Sequence, residues 1–302
     1  MVWRLYYGQG CLVRADYSGL DAGTQSSLGR TTSGNQGRIS GETDVSSLIS
    51  QTGHSSGYPR ILISVRDVVE ALAAVEGRAD IIDIKDPAKG SLGAASPEVW
   101  TEISDRIGGS HSWSIAMGEL EHGSPQPKPL GLTPAFAKVG LAELADTKQW
   151  RQSWAEWREQ LPATTAPVAV AYADQATARC PAVDEIVVTG ASMGCQVLLI
   201  DTFDKSHGGL LDHVRLEELA VWCRLARRHR MRIALAGSLS AADVPNVLSL
   251  RPDWLAVRGA VCTGNRNSSV CRQKVSDFVD SVRRMSRRVV ESVDYSVRIA
   301  ET

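Results

Sequence analysis

Hydrophobic and polar positions between residues 59 and 286 follow two alternating patterns. Short β-branched or apolar runs predict strands at Ile61–Val65, Asp80–Lys85, Ser112–Met117, Ala135–Gly140, Val168–Ala173, Gln196–Asp201, Arg232–Ala236 and Trp254–Val257. Between them, apolar residues three and four apart predict helices over Asp67–Glu76, Pro97–Asp105, Leu141–Glu159, Val183–Ala191, Arg215–Arg230 and Ala241–Ser249, with a last helix over Ser269–Met285. The stretch HGSPQPKPLGLTP, between the third and fourth strands, carries prolines that argue against a long helix there. Strands alternating with helices in this number fit a (β/α)8 TIM barrel. A doubly wound open sheet is the competing arrangement, weakened because no GxGxxG or GxxxxGK[ST] follows the first strand.

The flanks read differently. Residues 18–57 are dominated by Ser, Gly, Thr, Gln and Asn, a composition that buries too little apolar surface to offset chain entropy. The expected organisation is a disordered extension over 1–58, a catalytic barrel over 59–286 and a C-terminal tail over 287–302 with a short strand as an option. Hydrophobic content of 43% and a formal net charge of −1 describe an ordinary globular chain with no basic field for nucleic acid or an anionic membrane. No apolar run approaches the ~20 residues of a membrane span, and the N-terminus has no continuous apolar segment of the signal-peptide kind. The cysteines, at 11, 180, 195, 223, 262 and 271, form no CxxC pair and no metal-ligand spacing with histidine. They read as reduced thiols of a cytoplasmic protein with neither a metal site nor a cofactor.

The candidate chemistry lies in the charged residues of otherwise apolar strands. In DIIDIKDPAKGSLGA, Asp83 and Lys85 are two apart and share one face of a strand that ends at the Asp86-Pro87 turn. They form either an ion pair plugging the end of a barrel or a catalytic lysine beside a carboxylate. Lys138 sits inside the apolar run AFAKVGL, strand 6 ends at Asp201 with Lys205 four residues on, and strand 5 ends at Asp174. In a barrel, strands 2, 4 and 6 contribute to one interior layer, so Lys85, Lys138 and Lys205 converge on one pocket with Asp83 and Asp201 between them. Repulsion and desolvation then lower the pKa of at least one lysine, and a neutral amine attacks a carbonyl to form a Schiff base. The implied class is aldol, enolisation or elimination chemistry. Small turns after strands 7 and 8, with Gly237-Ser238 and Gly259-Ala260, are placed where many barrels hold a phosphate.

The ordered series DIIDIKDPAKGSLGA, AKVGL, AYAD, IDTFDK, ALAGSL and VRGA resembles the (5-formylfuran-3-yl)methyl phosphate synthase family over residues 60 to 285. The resemblance implies a barrel of methanofuran biosynthesis. Two molecules of glyceraldehyde 3-phosphate would condense to a furan aldehyde phosphate with release of phosphate and water. It also implies Lys85 as the Schiff-base lysine beside Asp83, Lys138 as proton acceptor, and Asp201 and Lys205 as the pair of the IDT-x-x-K segment. Two places depart from the family pattern: Glu119 follows Gly118 where an aspartate is expected, and Asn265-Arg266-Asn267 replaces a more acidic loop. The expected partner is a small phosphorylated substrate. Trp150, Trp154 and Trp157 share one helical face, read as core packing with a homo-oligomer contact as the alternative. An aldolase without ring closure and a non-catalytic binding barrel are the rival functions.

Overall fold

The computed structural model describes residues 58–120 and 131–300, with 289–300 as helix backbone only. The extension expected over 1–58 therefore lies outside the described residues except for Tyr58, as does most of the proline-rich stretch before strand 4. Strands β1 (Arg60–Val65), β2 (Ile81–Ile84), β3 (Ser112–Glu119), β4 (Phe136–Gly140), β5 (Ala166–Tyr172), β6 (Val197–Asp201), β7 (Arg232–Leu235) and β8 (Trp254–Val257) pair in parallel, each with the next, and β8 closes on β1. This is a closed eight-stranded (β/α)8 barrel, as the alternating pattern predicts.

Residue alternation sorts each strand between two cores. Outward positions such as Ile63, Ile82, Ile84, Ala137 and Leu198 pack under the helices. Inward positions such as Ile81, Val168, Val197, Ala234 and Trp254 fill the barrel interior. One step towards the C-terminal ends the inward positions turn polar: Ser64, Asp83 and Ser114 lie side by side in register on β1, β2 and β3. The apolar interior is thus a floor, and the polar residues stand on it at the end where barrels carry their sites.

The helices are α1 (Val68–Glu76), α2 (Pro97–Ile107), α3 (Trp150–Glu159), α4 (Gln175–Ala178), α5 (Val183–Ser192), α6 (Leu210–His213), α7 (Leu216–Arg228), α8 (Val244–Leu248) and α9 (Arg272–Ala300). Asp67 starts α1, its side chain accepting from the Glu70 amide at 2.8 Å. Two expected spans are corrected. The helix expected from Leu141 begins only at Trp150. Glu143 is left-handed (φ 61°), and the Glu143 and Ala145 amides donate to Ala178 and Arg179, which diverts them from helical acceptors. The tail expected from 287 is instead the continuation of α9 to Ala300, because no glycine or proline interrupts the chain after Ser269. Trp150, Trp154 and Trp157 are buried against the outer core, which is their core-packing role.

Candidate active site

The C-terminal end of the barrel opens into a cavity of about 350 Å³. Every residue expected of the site lines it: Asp83, Lys85, Lys138, Asp201, Lys205, Gly237, Ser238, Gly259 and Ala260. Burial is deep, with Asp83 1%, Lys138 5% and Lys85 8% exposed. Charges this buried persist only when hydrogen-bonded or paired.

The pairing differs from the expected one. Asp83 does not hold its neighbour on the strand. One oxygen takes Lys138 Nζ and Ser114 Oγ (2.6 Å), and the other takes Ser64 Oγ (3.0 Å). Its acceptors are filled from β1, β3 and β4. Burial pushes the Asp83 pKa up, but the charges of Lys138 and Lys85 and these hydrogen bonds outweigh it, so the group lies below its ordinary value.

Asp201 is built the same way. Its Oδ1 takes Lys205 Nζ and the Thr202 amide (2.8 Å), and its Oδ2 takes Ser91 Oγ (3.0 Å). Burial is again opposed by Lys205 and Lys85, leaving the carboxyl below its usual range. Lys205 lies on the same side as Asp201, but not because the strand continues. The chain turns after Asp201, so Lys205 reaches back and also donates to Thr202 Oγ1 at 3.0 Å. That turn is braced by Asp174, which accepts the Phe203 and Asp204 amides at 2.7 and 2.8 Å. Burial depresses the Lys205 pKa against the pull of Asp201.

Lys85 is different. Its ammonium donates to the Ser91 carbonyl at 3.1 Å and forms no ion pair among the described residues. Burial lowers its pKa from 10.5 to about 8, opposed first by Asp201 and then by Asp83, and assisted by Lys205 and Lys138. Among three lysines in one cavity, two are held by carboxylates and the third has a backbone carbonyl as its hydrogen-bond partner.

Several residues of this network are not among the candidate site residues read from the sequence. Ser91, almost fully buried, touches both halves: its carbonyl holds Lys85 and its hydroxyl bonds Asp201 and the Thr202 carbonyl (2.8 Å). Ser64 and Ser114 were legible in principle, as polar residues at inward strand positions beside Asp83. Glu119, the departure on β3, lies outside the cavity lining. Its Oε1 accepts from the Tyr172 hydroxyl at 2.5 Å and its Oε2 from the Ala142 amide at 3.0 Å. Gly140 faces it, and a Cβ there would sit 2.0 Å from Oε2, so glycine makes room for the longer acid.

Among the described residues, no group of His, Cys, Asp and Glu side chains is arranged to hold a metal ion, and no helix is long and apolar enough to cross a membrane.

The family model for 4-HFC-P synthase matches residues 61–279. The (5-formylfuran-3-yl)methyl phosphate synthase of Archaeoglobus fulgidus is 30% identical over 232 residues, which are 74% of this chain and 99% of that protein. The enzyme of that name from Methanopyrus kandleri is 35% identical over 228 residues, 71% of this chain and 94% of its own length. Among solved structures, 3-hexulose-6-phosphate synthase from Salmonella typhimurium superposes with a TM-score of 0.51 at 14% identity, covering 76% of this chain and 99% of its own, a likeness of fold alone.

Proposed function

The chain belongs to the 4-HFC-P synthase family, and from that premise we propose that it condenses two molecules of glyceraldehyde 3-phosphate into (5-formylfuran-3-yl)methyl phosphate through an imine on Lys85. The observation that carries this reading is the inequality among the lysines. Lys138 and Lys205 are each tied to a carboxylate, while Lys85 is buried without one and has a pKa of about 8. At pH 7 about one Lys85 side chain in eleven is then the free amine, against about one in three thousand for an ordinary lysine. The amine is the form that adds to an aldehyde.

In the proposed sequence, Lys85 Nζ adds to the aldehyde carbon of one triose phosphate, and loss of water leaves an imine. The protonated imine acidifies the neighbouring carbon, and Lys138 takes that proton to give an enamine. Lys138, paired with Asp83, first gives its proton to the carbinolamine hydroxyl, which leaves as the water of imine formation, and the amine so formed is the base for the carbon proton. Asp83 orients it and offsets its charge. The product requires two further events of the enamine: loss of one C3 phosphate, and bond formation to the second aldehyde. Lys205 and Asp201 move protons during ring closure and dehydration. Atoms balance with one phosphate and two waters released, which makes the enzyme a carbon–oxygen lyase. The retained phosphate rests against Gly237-Ser238 and Gly259-Ala260. Among the described residues their amides donate to no protein acceptor, and these turns line the cavity. The product is a building block for a methanofuran-type one-carbon carrier.

Borohydride reduction in the presence of glyceraldehyde 3-phosphate is expected to leave a covalent adduct on Lys85, located by peptide mass mapping, with inorganic phosphate and a furan absorbance formed in unreduced samples. An adduct without furan assigns an aldolase. Folded protein with no adduct removes the imine mechanism.

The pH dependence has a definite sign. Imine formation rises with pH as Lys85 loses its proton, with an ascending limb near pH 8. Asp201 is the strongest of the charges that favour the Lys85 ammonium. Asp201→Asn therefore moves that limb to lower pH, by roughly half a unit to one unit. A limb that stays in place in Asp201→Asn shows that some other group is titrating.

A further inference from the structure

Two arginines from the segment after β8 line the cavity, and their hydrogen bonds assign them opposite tasks. A guanidinium carries five N–H donors. All those of Arg258 are used. Nε donates to the Arg266 carbonyl (2.7 Å). Nη1 donates to the Ser64 carbonyl (2.9 Å) and Glu70 Oε2 (2.7 Å). Nη2 donates to Glu70 Oε1 (3.1 Å) and the Ser268 carbonyl (3.2 Å). Arg258 is therefore a builder: with Glu70 behind it, it fixes the carbonyls of the loop on which Arg266 stands. Arg66 pins the same loop from outside, donating to the Asn267 carbonyl at 2.6 Å.

Arg266 is held by its backbone, while its side chain is largely uncommitted. The guanidinium makes one long hydrogen bond, Nη2 to the Gly90 carbonyl at 3.3 Å, although the side chain is half-buried. Among the described residues, Lys138 pairs with Asp83, Lys205 with Asp201 and Arg258 with Glu70. Arg266, like Lys85, faces the cavity without a carboxylate partner, and unlike Lys85 it stays charged at every working pH. Partly desolvating such a charge is costly unless an anion completes it. The side chain also starts in the right place. A Cβ built on Gly259 would meet Arg266 Cβ at 3.8 Å, so the guanidinium rises beside the Gly259-Ala260 turn and reaches across to the loop whose next residue holds Lys85.

We infer that Arg266 is the side-chain anchor for a phosphomonoester of the substrate, closing its planar donor fork on the phosphate oxygens that the Gly259-Ala260 turn meets from the other side. It is a specificity residue: it selects phosphorylated over unphosphorylated aldehydes. The identity of the phosphorylated compound rests on the proposed function, but the phosphate site itself does not.

The test uses the full chain, Arg266→Gln and Arg266→Lys, which leave the backbone carbonyl held by Arg258 in place. Inorganic phosphate, titrated calorimetrically, is expected to bind the wild type and to bind Arg266→Gln at least tenfold more weakly, with Arg266→Lys between them. In borohydride trapping, the preference for glyceraldehyde 3-phosphate over glyceraldehyde is expected to fall at least tenfold in Arg266→Gln. Wild-type protein that binds no phosphate, or an Arg266→Gln variant with unchanged phosphate affinity and unchanged preference, overturns the inference. If the wild type traps neither aldehyde, the imine reading fails and the phosphate titration still decides the role of Arg266.

Discussion

Lys85→Met is expected to abolish imine trapping and to lower turnover by on the order of 10⁴-fold or more, while making the protein more stable. The first part follows from removing the nucleophile. Lys138 and Lys205 remain in the cavity, but each is tied to a carboxylate and neither stands at the Lys85 position. The second part follows from burial. A lysine whose pKa falls from 10.5 to about 8 on folding binds fewer protons in the folded than in the unfolded chain between those values. Stability therefore rises with pH across that window, and below pH 8 the folded state carries the full cost of a desolvated ammonium, about 3 kcal/mol. Methionine fills similar space without the charge. It gives up the hydrogen bond to the Ser91 carbonyl, worth about 1 kcal/mol, so the net gain is about 1–2 kcal/mol at neutral pH. Thermal melting at pH 7 should rise by several degrees, and the difference between variant and wild type should shrink towards pH 10.5. A variant that melts lower than the wild type shows that the Lys85 ammonium is well solvated. A variant that still traps substrate places the imine on another lysine.

Why Lys85 was legible, and its partners were not, is a matter of range. Period-two alternation fixes the face of every strand residue, so Asp83 and Lys85 could be assigned to one side from DIIDIK alone, and Lys138 stood out as a charge within an apolar run. The barrel's closure brings those faces together, which is why all the candidate residues share one cavity. Pairing inside that cavity depends on distances across the barrel, which no local spacing contains. Asp83 turns to Lys138 from β4 because the inward serines of β1 and β3 take its other lone pairs and the Ser91 carbonyl takes Lys85. Lys205 reached its expected side by a route that strand spacing does not describe, a turn held by Asp174. The contacts of Ser91 and Arg266 bridge segments 110 and 176 residues apart, and no local spacing contains them either. The missing first half of the helix expected from Leu141 has the same origin, since its amides are claimed by the loop after β5.

The bland alternative, an ion pair that merely plugs the barrel, is separable from catalysis by a double-mutant cycle on Asp83 and Lys138. Asp83→Ala leaves the Lys138 ammonium buried with its carboxylate gone, and is expected to cost about 3–5 kcal/mol. Lys138→Met leaves the Asp83 carboxylate with hydroxyl donors from Ser64 and Ser114, so its cost is smaller, about 1–3 kcal/mol. In Asp83→Ala/Lys138→Met neither charge remains to be desolvated. The double variant is therefore expected to be more stable than Asp83→Ala alone, with a coupling energy of about 2–3 kcal/mol in urea denaturation. The stabilisation is pH-dependent with a known sign. Asp83 lies below its ordinary value of 3.8 in the folded chain, so the pair's contribution is present above that value and is lost as pH falls through the folded one. Turnover separates the two roles. A plug is restored by any pair of groups that fills the space, so the double variant would work as well as its stability allows. If Lys138 takes the proton from the imine-activated carbon, the double variant is folded, still trapped on Lys85 by borohydride, and inactive in furan formation by about 10³-fold or more. Recovery of stability together with turnover would assign Asp83 and Lys138 to the fold and leave Lys85 to act with another base.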